Sequence, residues 1–541
     1  MSLGSLAPAV ADDAPASRAS AAANGIAVLV VLGIVGIVGA AFALHAFSIL
    51  QNHDNDWYLV VAQRLLAGGR YGRDFMEPNP PLIILLSVPP VLLAPLLHLP
   101  VYTAFVAYVC GLILLSAWLA WRSLRWCMAD QPVGAAVLLL CYTAILALEP
   151  GYDFGQREHL FVILFAPGLL WFAARDAGDT RPLSASNGLA VVLAAIGVLI
   201  KPFVLLVPLM MLVLKAGHHR TWRVVLDGSV AVFLLIAVLY VALVLVAFPA
   251  YLPAAAIQQE VYFAWDRAWL TVFDESRPAM MALALAVVLT ELTPLEQRTR
   301  VLFRQVCVAA ATCLFLALWQ KKAWTYHLLP TIELAAFILG GAVIALVPRL
   351  SWRYRARDWG CVPVAVVCAA VLLEATALAI QPLDDAVFAT RAKATATPLI
   401  ATLRHSFNGK SLLVLTSGYQ AGIPSLAGVS LAARAPSQLL LPGAVRLARG
   451  NAAQRKRAVE VRGLATNLLI EDLDRYHPDV VAVDRRPVKQ SLPNNFDVLK
   501  FYQADPQFAQ AWSDYRLAVS LNGWDLYART APDATKAGLL P

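Results

Sequence analysis

The chain has 541 residues, of which 59% are hydrophobic and only 14% are charged, with a mean hydropathy of +0.65. Soluble domains carry about 25% charged residues, so a soluble globular enzyme is excluded and a polytopic α-helical membrane protein is expected. The formal charge of +8 then speaks of topology, because Lys and Arg gather in cytoplasmic loops; no basic stripe with interleaved aromatics occurs, which sets nucleic-acid binding aside.

Residues 1–23, rich in Ala and Ser, read as a disordered cytoplasmic tail. Gly25 to Leu50 is one apolar segment, longer than the roughly 7–15-residue core of a cleavable signal, and reads as an uncleaved anchor. It opens a transmembrane domain expected over 24–380. The stretch from His53 to Leu82 is the most polar in the N-terminal half. Asp54 and Asp56 begin a helix-length run in which Trp57, Val61 and Leu65 form one row and Tyr58, Ala62 and Leu66 a second. Gly68 and Gly69 end it, and Arg70, Arg73, Asp74 and Glu77 lead to Pro80-Pro81. This is the expected active-site loop, lying on the membrane surface.

Basic clusters at Arg122/Arg125, Arg175/Arg181, Lys215/Arg220/Arg223, Arg298/Arg300/Arg304 and Arg349/Arg353/Arg355/Arg357 are assigned to the cytoplasmic face. Crossings between them must then be even in number. The spans are 101–121, 133–148, 158–174, 187–200, 203–216, 226–248, 278–293, 303–319, 328–347 and 358–380. The proline-broken piece 80–97 is laid along the outer face. With the anchor this makes about 11 transmembrane helices. It also leaves loops 49–100, 149–157, 249–277 and 320–327 outside, with residues 381–541.

The tail changes character. Ser411–Thr416 and Val480–Val483 read as short buried strands, 438–449 and 455–476 as helices, and Tyr515–Leu521 with Trp524–Arg529 as a hairpin around Asn522-Gly523. A C-terminal extracytoplasmic α/β domain is expected, serving acceptor recognition or capping. None of the seven cysteines falls in it or forms a CxxC pair, so no disulfide framework or structural zinc site is implied.

Arginines and lysines in outer loops oppose the positive-inside bias, and an anionic ligand such as a lipid phosphate gives them a shared reason. A carboxylate can act as a general base towards an attacking group; Asp54, Asp56 and Asp153 are the candidates. Such a phosphate needs cations to hold its charge, for which Lys201, Arg157, Lys321 and Lys322 stand ready. Tyr58, Glu77, Glu158, Tyr326 and His327 are assigned to the substrate cavity. A divalent metal is compatible with Glu77 and His159, or with Asp153 and His327, although spacing alone establishes none. Each residue has a plainer reading. Asp54 and Asp56 suit a helix cap, Lys201 a snorkelling lysine, Arg157-Glu158-His159 an interfacial ion-pair set, and His327 an aromatic belt.

Asp54 with Tyr58 and Ala62, the glycine-ended helix, then Glu77 and Pro80-Pro81-Leu82 resemble the first outer loop of the GT-C superfamily of membrane glycosyltransferases. The nearest pattern is that of bacterial lipid A aminoarabinose transferases and the protein O-mannosyltransferases that use dolichyl-phosphate-mannose. Lys201-Pro202 resembles their lysine-glycine-proline turn without the glycine. The resemblance covers roughly 24–380 and implies a polyprenyl-phosphate-linked sugar donor, inverting transfer and an extracytoplasmic acceptor (lipid A, a polysaccharide or a protein). Asp54 matches the first acid of the family's paired-acid motif; Asn55 replaces its neighbour and Asp56 follows one place on. Asp153 stands where the second-loop acid does. The competing readings are a secondary transporter or flippase, which tends to carry internal repeats not visible here, and a membrane-anchored receptor.

Overall fold

The computed structural model describes residues 14–46, 52–346, 398–418, 422–521 and 523–530. Helix α1 (Ala14–Ala46) is followed by α2 (His53–Leu66), α3 (Leu82–Leu86), α4 (Val88–Leu97), α5 (Val101–Cys127), α6 (Pro132–Leu148) and α7 (Arg157–Asp176). Then come α8 (Ala185–Ile200), α9 (Leu206–His219), α10 (Gly228–Ala247), α11 (Tyr251–Val261), α12 (Trp269–Leu292), α13 (Gln297–Gln320) and α14 (Thr325–Leu346). Ten of the eleven expected spans are thus helices. The last, 358–380, and the fifth basic cluster lie outside the described residues.

By length and composition seven described helices suffice to cross a membrane, and α6, α8 and the Leu82–Leu97 stretch are shorter apolar helices. Two expectations are corrected. Residues 14–23 continue α1, because an Ala-rich stretch has high helix propensity when joined to an apolar helix. The loop 249–277 is mostly helical: α11 uses the Ala-rich YLPAAAIQQEV, and α12 begins at Trp269, well ahead of 278.

Helix α7 is the axis of the bundle. Between its polar first turn and Arg175-Asp176 its sequence is apolar all round, and all but one of its residues are buried, as expected of a helix surrounded by others. Small residues let α8 approach it. A Cβ on Gly168 would lie 2.5 Å from the Ala194 Cβ, and one on Gly197 would lie 3.1 Å from the Leu164 Cβ, the close packing that membrane helices favour. The polar first turn of α7 (Arg157, Glu158, His159) therefore sits at a fixed place at one end of the bundle.

At the opposite end four of the basic clusters meet. Arg122 donates to the Ser184 Oγ at 3.1 Å, Arg181 and Arg298 both lie over the Trp126 ring, and Arg175 pairs with Asp227 at 3.2 Å. The grouping on which the topology was built is therefore present in the fold.

The C-terminal domain begins with a helix over 398–406, α15, then β1 (Ser411–Leu415), α16 (Gly422–Ala427), β2 (Ser430–Leu431), α17 (Leu441–Leu447) and α18 (Ala452–Tyr476). It closes with β3 (Val480–Asp484), α19 (Val498–Gln503), α20 (Pro506–Ala511), β4 (Tyr515–Leu521) and β5 (Trp524–Arg529). The sheet order is β2-β1-β3-β5-β4, parallel across β2, β1 and β3 and antiparallel for the β4–β5 hairpin. Strand β3, buried throughout, is the continuous apolar run that a covered central strand requires.

This domain sits on the first and third loops. Arg64 donates to the carbonyls of Leu431 and Ala433, each at 2.6 Å, Arg475 donates to the Arg73 carbonyl and pairs with Asp74, and Arg457 pairs with Glu260 at 2.6 Å. The domain and the Asp54 loop therefore share one face. In α17, Gly443 faces Val261, where an added Cβ would come within 2.3 Å of the Val261 Cβ. Gly443→Ala is expected to cost roughly 1–3 kcal/mol by overpacking, seen as faster proteolytic release of the C-terminal domain.

Candidate active site

A cavity of about 1690 Å³ lies between the loops and the C-terminal domain. Three short elements bring residues to it: the first turn of α2, the loop before α7 and the turn between α8 and α9. Asn52 caps α2, its Oδ1 accepting from the Asp54 N–H at 3.0 Å, and its Nδ2 donates to the Asp153 Oδ1 at 3.2 Å. One amide thus locks the two acid-bearing segments together.

Asp54 is 4% exposed and lines the cavity. Its Oδ2 accepts from the Gln156 Nε2 at 2.6 Å and lies 3.7 Å from the Arg157 Nη2; its Oδ1 is 3.5 Å from the His53 Nε2. Arg157, whose guanidinium lies over the Tyr58 ring, also donates to the Asn79 Oδ1. Lys201 is held by Glu158, with its ammonium over the Tyr326 ring at 5.5 Å. Asp153 accepts from the Thr325 Oγ1 at 3.0 Å. Asp54, Asp153, Arg157, Lys201, Lys322 and Tyr326 all line the cavity. That is six of the residues the sequence singled out.

The others stand elsewhere. Lys321 is not on the cavity wall; its ammonium lies over the Trp269 ring at 4.8 Å. Lys322 reaches the wall but is tied to Asp266 at 2.5 Å and to the Tyr262 carbonyl at 2.9 Å. Glu158 and His327 lie just behind Lys201, with the His327 Nε2 at 3.6 Å from the Glu158 Oε1. Tyr58 supports Arg157 from beneath. Glu77 is wholly buried, and burial pushes its carboxyl up to about 7 against the pull of Arg157.

Asp56 is the substantive correction. It is off the cavity, its Oδ2 filling the space in which a Cβ on Gly422 of the C-terminal domain would lie, and burial pushes its carboxyl up to about 7. An acid raised in the fold from an ordinary value near 4 keeps its proton there longer than when unfolded. Stability is then full below about pH 4 and falls as pH rises towards about 7, by up to roughly 4 kcal/mol. Asp56→Asn is expected to keep its activity and to melt higher than the parent at pH 8, with the gap closing at pH 4.5; a pH-independent gap would remove the titration argument.

The metal reading by Glu77 and His159 does not fit. The His159 Nδ1 accepts from the Gly155 N–H and its Nε2 meets the Leu146 carbonyl, both at 2.8 Å. One Glu77 oxygen takes the Trp57 indole N–H at 2.7 Å, and the other the Asn79 N–H at 2.8 Å. His159 has no ring nitrogen to spare, which leaves Glu77 without its expected co-ligand, and no chemistry is routed through a metal here.

Fold comparison gives this arrangement a setting. The chain superposes on the apo crystal structure of ArnT from Cupriavidus metallidurans with a TM-score of 0.57 at 14% identity, covering 95% of this chain and 100% of that one. ArnT from the same organism bound to undecaprenyl phosphate gives 0.53, 14%, 94% and 100%. This chain shares the fold of that ArnT. No family model and no curated protein sequence matches it, so the likeness to ArnT lives in the three-dimensional path and not in residue identity. Several wall residues were missed from the sequence. They include the amide Asn79, and a strip of the C-terminal domain comprising Ser417, Gly418, Arg486, Val488, Lys489 and Gln490. Arg486 is set by Asp484 at 2.7 Å. Asn52 alone had a signal, as an N-cap residue ahead of an acidic first turn.

Proposed function

We propose that the protein is an integral-membrane glycosyltransferase. It takes a sugar from a polyprenyl-phosphate donor and transfers it with inversion to an acceptor hydroxyl or phosphate outside the cytoplasm, on lipid A, a polysaccharide or a protein. The observation that carries this reading is Asp54 poised on a large cavity beside Arg157 and Lys201, in a fold whose ArnT example is bound to undecaprenyl phosphate.

Six cationic residues line the cavity (Arg157, Lys201, Arg267, Lys322, Arg486 and Lys489) against three acids, Asp54, Asp153 and Asp266, so the cavity favours an anion. Its other wall is apolar: Phe203, Leu252, Phe315 and Trp319 line it and are exposed, as a prenyl chain reaching in from the bilayer requires. The extracytoplasmic placement rests on the basic clusters at the far end of the bundle.

In the reaction the acceptor oxygen attacks the anomeric carbon as its proton passes to Asp54, whose Oδ1 is the less engaged oxygen. The bond from that carbon to the lipid phosphate breaks on the opposite face of the sugar. The leaving phosphate keeps the electron pair, and Arg157 and Lys201 hold its charge. Asp153, bonded to Asn52 and Thr325, positions α2 against the loop before α7.

The test uses purified protein in nanodiscs with polyprenyl-phosphate sugars extracted from envelope membranes. Release of free polyprenyl phosphate together with a glycosylated acceptor supports the assignment. Donor that binds and crosses the bilayer without cleavage would favour the flippase reading instead.

A further inference from the structure

We propose that Asp176, His218 and His219 form a binding site for a divalent transition metal of the zinc class, at the end of the bundle opposite the cavity. Asp176 is the last residue of α7, and the two histidines are the last of α9. The Asp176 Oδ1 lies 3.0 Å from the His218 Nδ1 and 3.0 Å from the His219 Nε2. The three candidate ligand atoms fall within 4.8 Å of one another, and among the described residues no other group of three His, Cys, Asp or Glu does so.

A tetrahedral zinc with bonds of about 2.0–2.1 Å holds its ligand atoms about 3.3 Å apart, so small rotations of the exposed imidazoles bring all three atoms onto one centre. Two neutral nitrogens and one carboxylate oxygen are a ligand set that suits zinc and its first-row neighbours better than calcium or magnesium.

The surroundings have the form such a site needs. Asp176 is 3% exposed, while the imidazoles are 41% and 38% exposed, which leaves a fourth position open to water. Gln305 of α13, itself buried, donates to the Asp176 Oδ2 at 2.7 Å and to the Met211 carbonyl at 3.4 Å. That bond turns Oδ1 towards the imidazoles, as an outer partner orients a metal-binding carboxylate. Arg175, the nearest arginine in sequence, is occupied by Asp227 at 3.2 Å and is not paired with Asp176. Bound metal would staple the ends of α7 and α9, two helices whose other ends carry Arg157 and the Lys201 turn. None of these three residues belongs to the site proposed for sugar transfer.

The experiment is a Zn²⁺ titration, against a chromophoric chelator, of full-length untagged protein stripped of metal in detergent. Wild type is expected to take up Zn²⁺ at this site with micromolar or tighter affinity, at least tenfold weaker in His218→Ala and His219→Ala. Co²⁺ in its place should give the visible bands of a four-coordinate N/O site, absent from the His218→Gln/His219→Gln double variant. Wild type that binds no Zn²⁺, or a folded double variant that keeps the same affinity and Co²⁺ spectrum, would overturn the assignment.

Discussion

Asp54→Asn is expected to lower sugar transfer by about 10²–10⁴-fold, the usual contribution of a positioned general base, while donor binding stays within a fewfold of wild type. The substitution is nearly isosteric. The Asn52 cap acts on the backbone N–H at 54 and is untouched, and Arg157 keeps its bond to Asn79. What is lost is the capacity to accept a proton and the negative charge 3.7 Å from the Arg157 Nη2. Transfer kinetics with saturating donor, paired with a donor-binding measurement, separate the two effects; full transfer by the asparagine variant would remove Asp54 from the chemistry.

The second large effect is expected at Lys201. Lys201→Met takes away a cation proposed for the donor phosphate, and it also leaves Glu158 buried without its charge partner. Breaking a buried pair from one side costs about 3–5 kcal/mol, so the variant should bind donor weakly and melt early. Lys201→Met/Glu158→Gln removes both charges. It is expected to recover most of the stability and none of the donor affinity, as read by thermal unfolding and lipid binding on the same preparation. Recovery of both together would reduce Lys201 to a structural counter-ion.

Much of this architecture was legible in the residues. The spans announced themselves by length and apolarity, and the basic clusters sorted their ends, which is why the Asp54, Asp153 and Lys201 segments were expected on one face. The tail's strands came through because buried parallel strands are short unbroken runs, and Asn522-Gly523 is hairpin chemistry. Asp54 and Asp56 were harder. Two positions on a helix are about 200° apart, so only one of the pair can face the cavity, and the sequence does not give the rotation of α2. The amide Asn79 carries no charge and has no periodicity, so nothing marked it before the loops were brought together. Arg486 and Lys489 reach the cavity only through docking of a separate domain, a contact no local pattern encodes. Lys321 and Lys322 are neighbours, yet the left-handed backbone at Lys321 (φ 56°) sends one ammonium to Trp269 and the other to Asp266.

The way the two halves are joined has an evolutionary corollary. Arg64, Arg475 and Arg446 grip the lobes across the seam by main-chain oxygens, at 431 and 433, at 73 and at 263. A carbonyl is the same whichever amino acid bears it. Those gripped positions can drift without loosening the seam, so the side chains of the C-terminal domain above the cavity are free to diversify while the seam stays put.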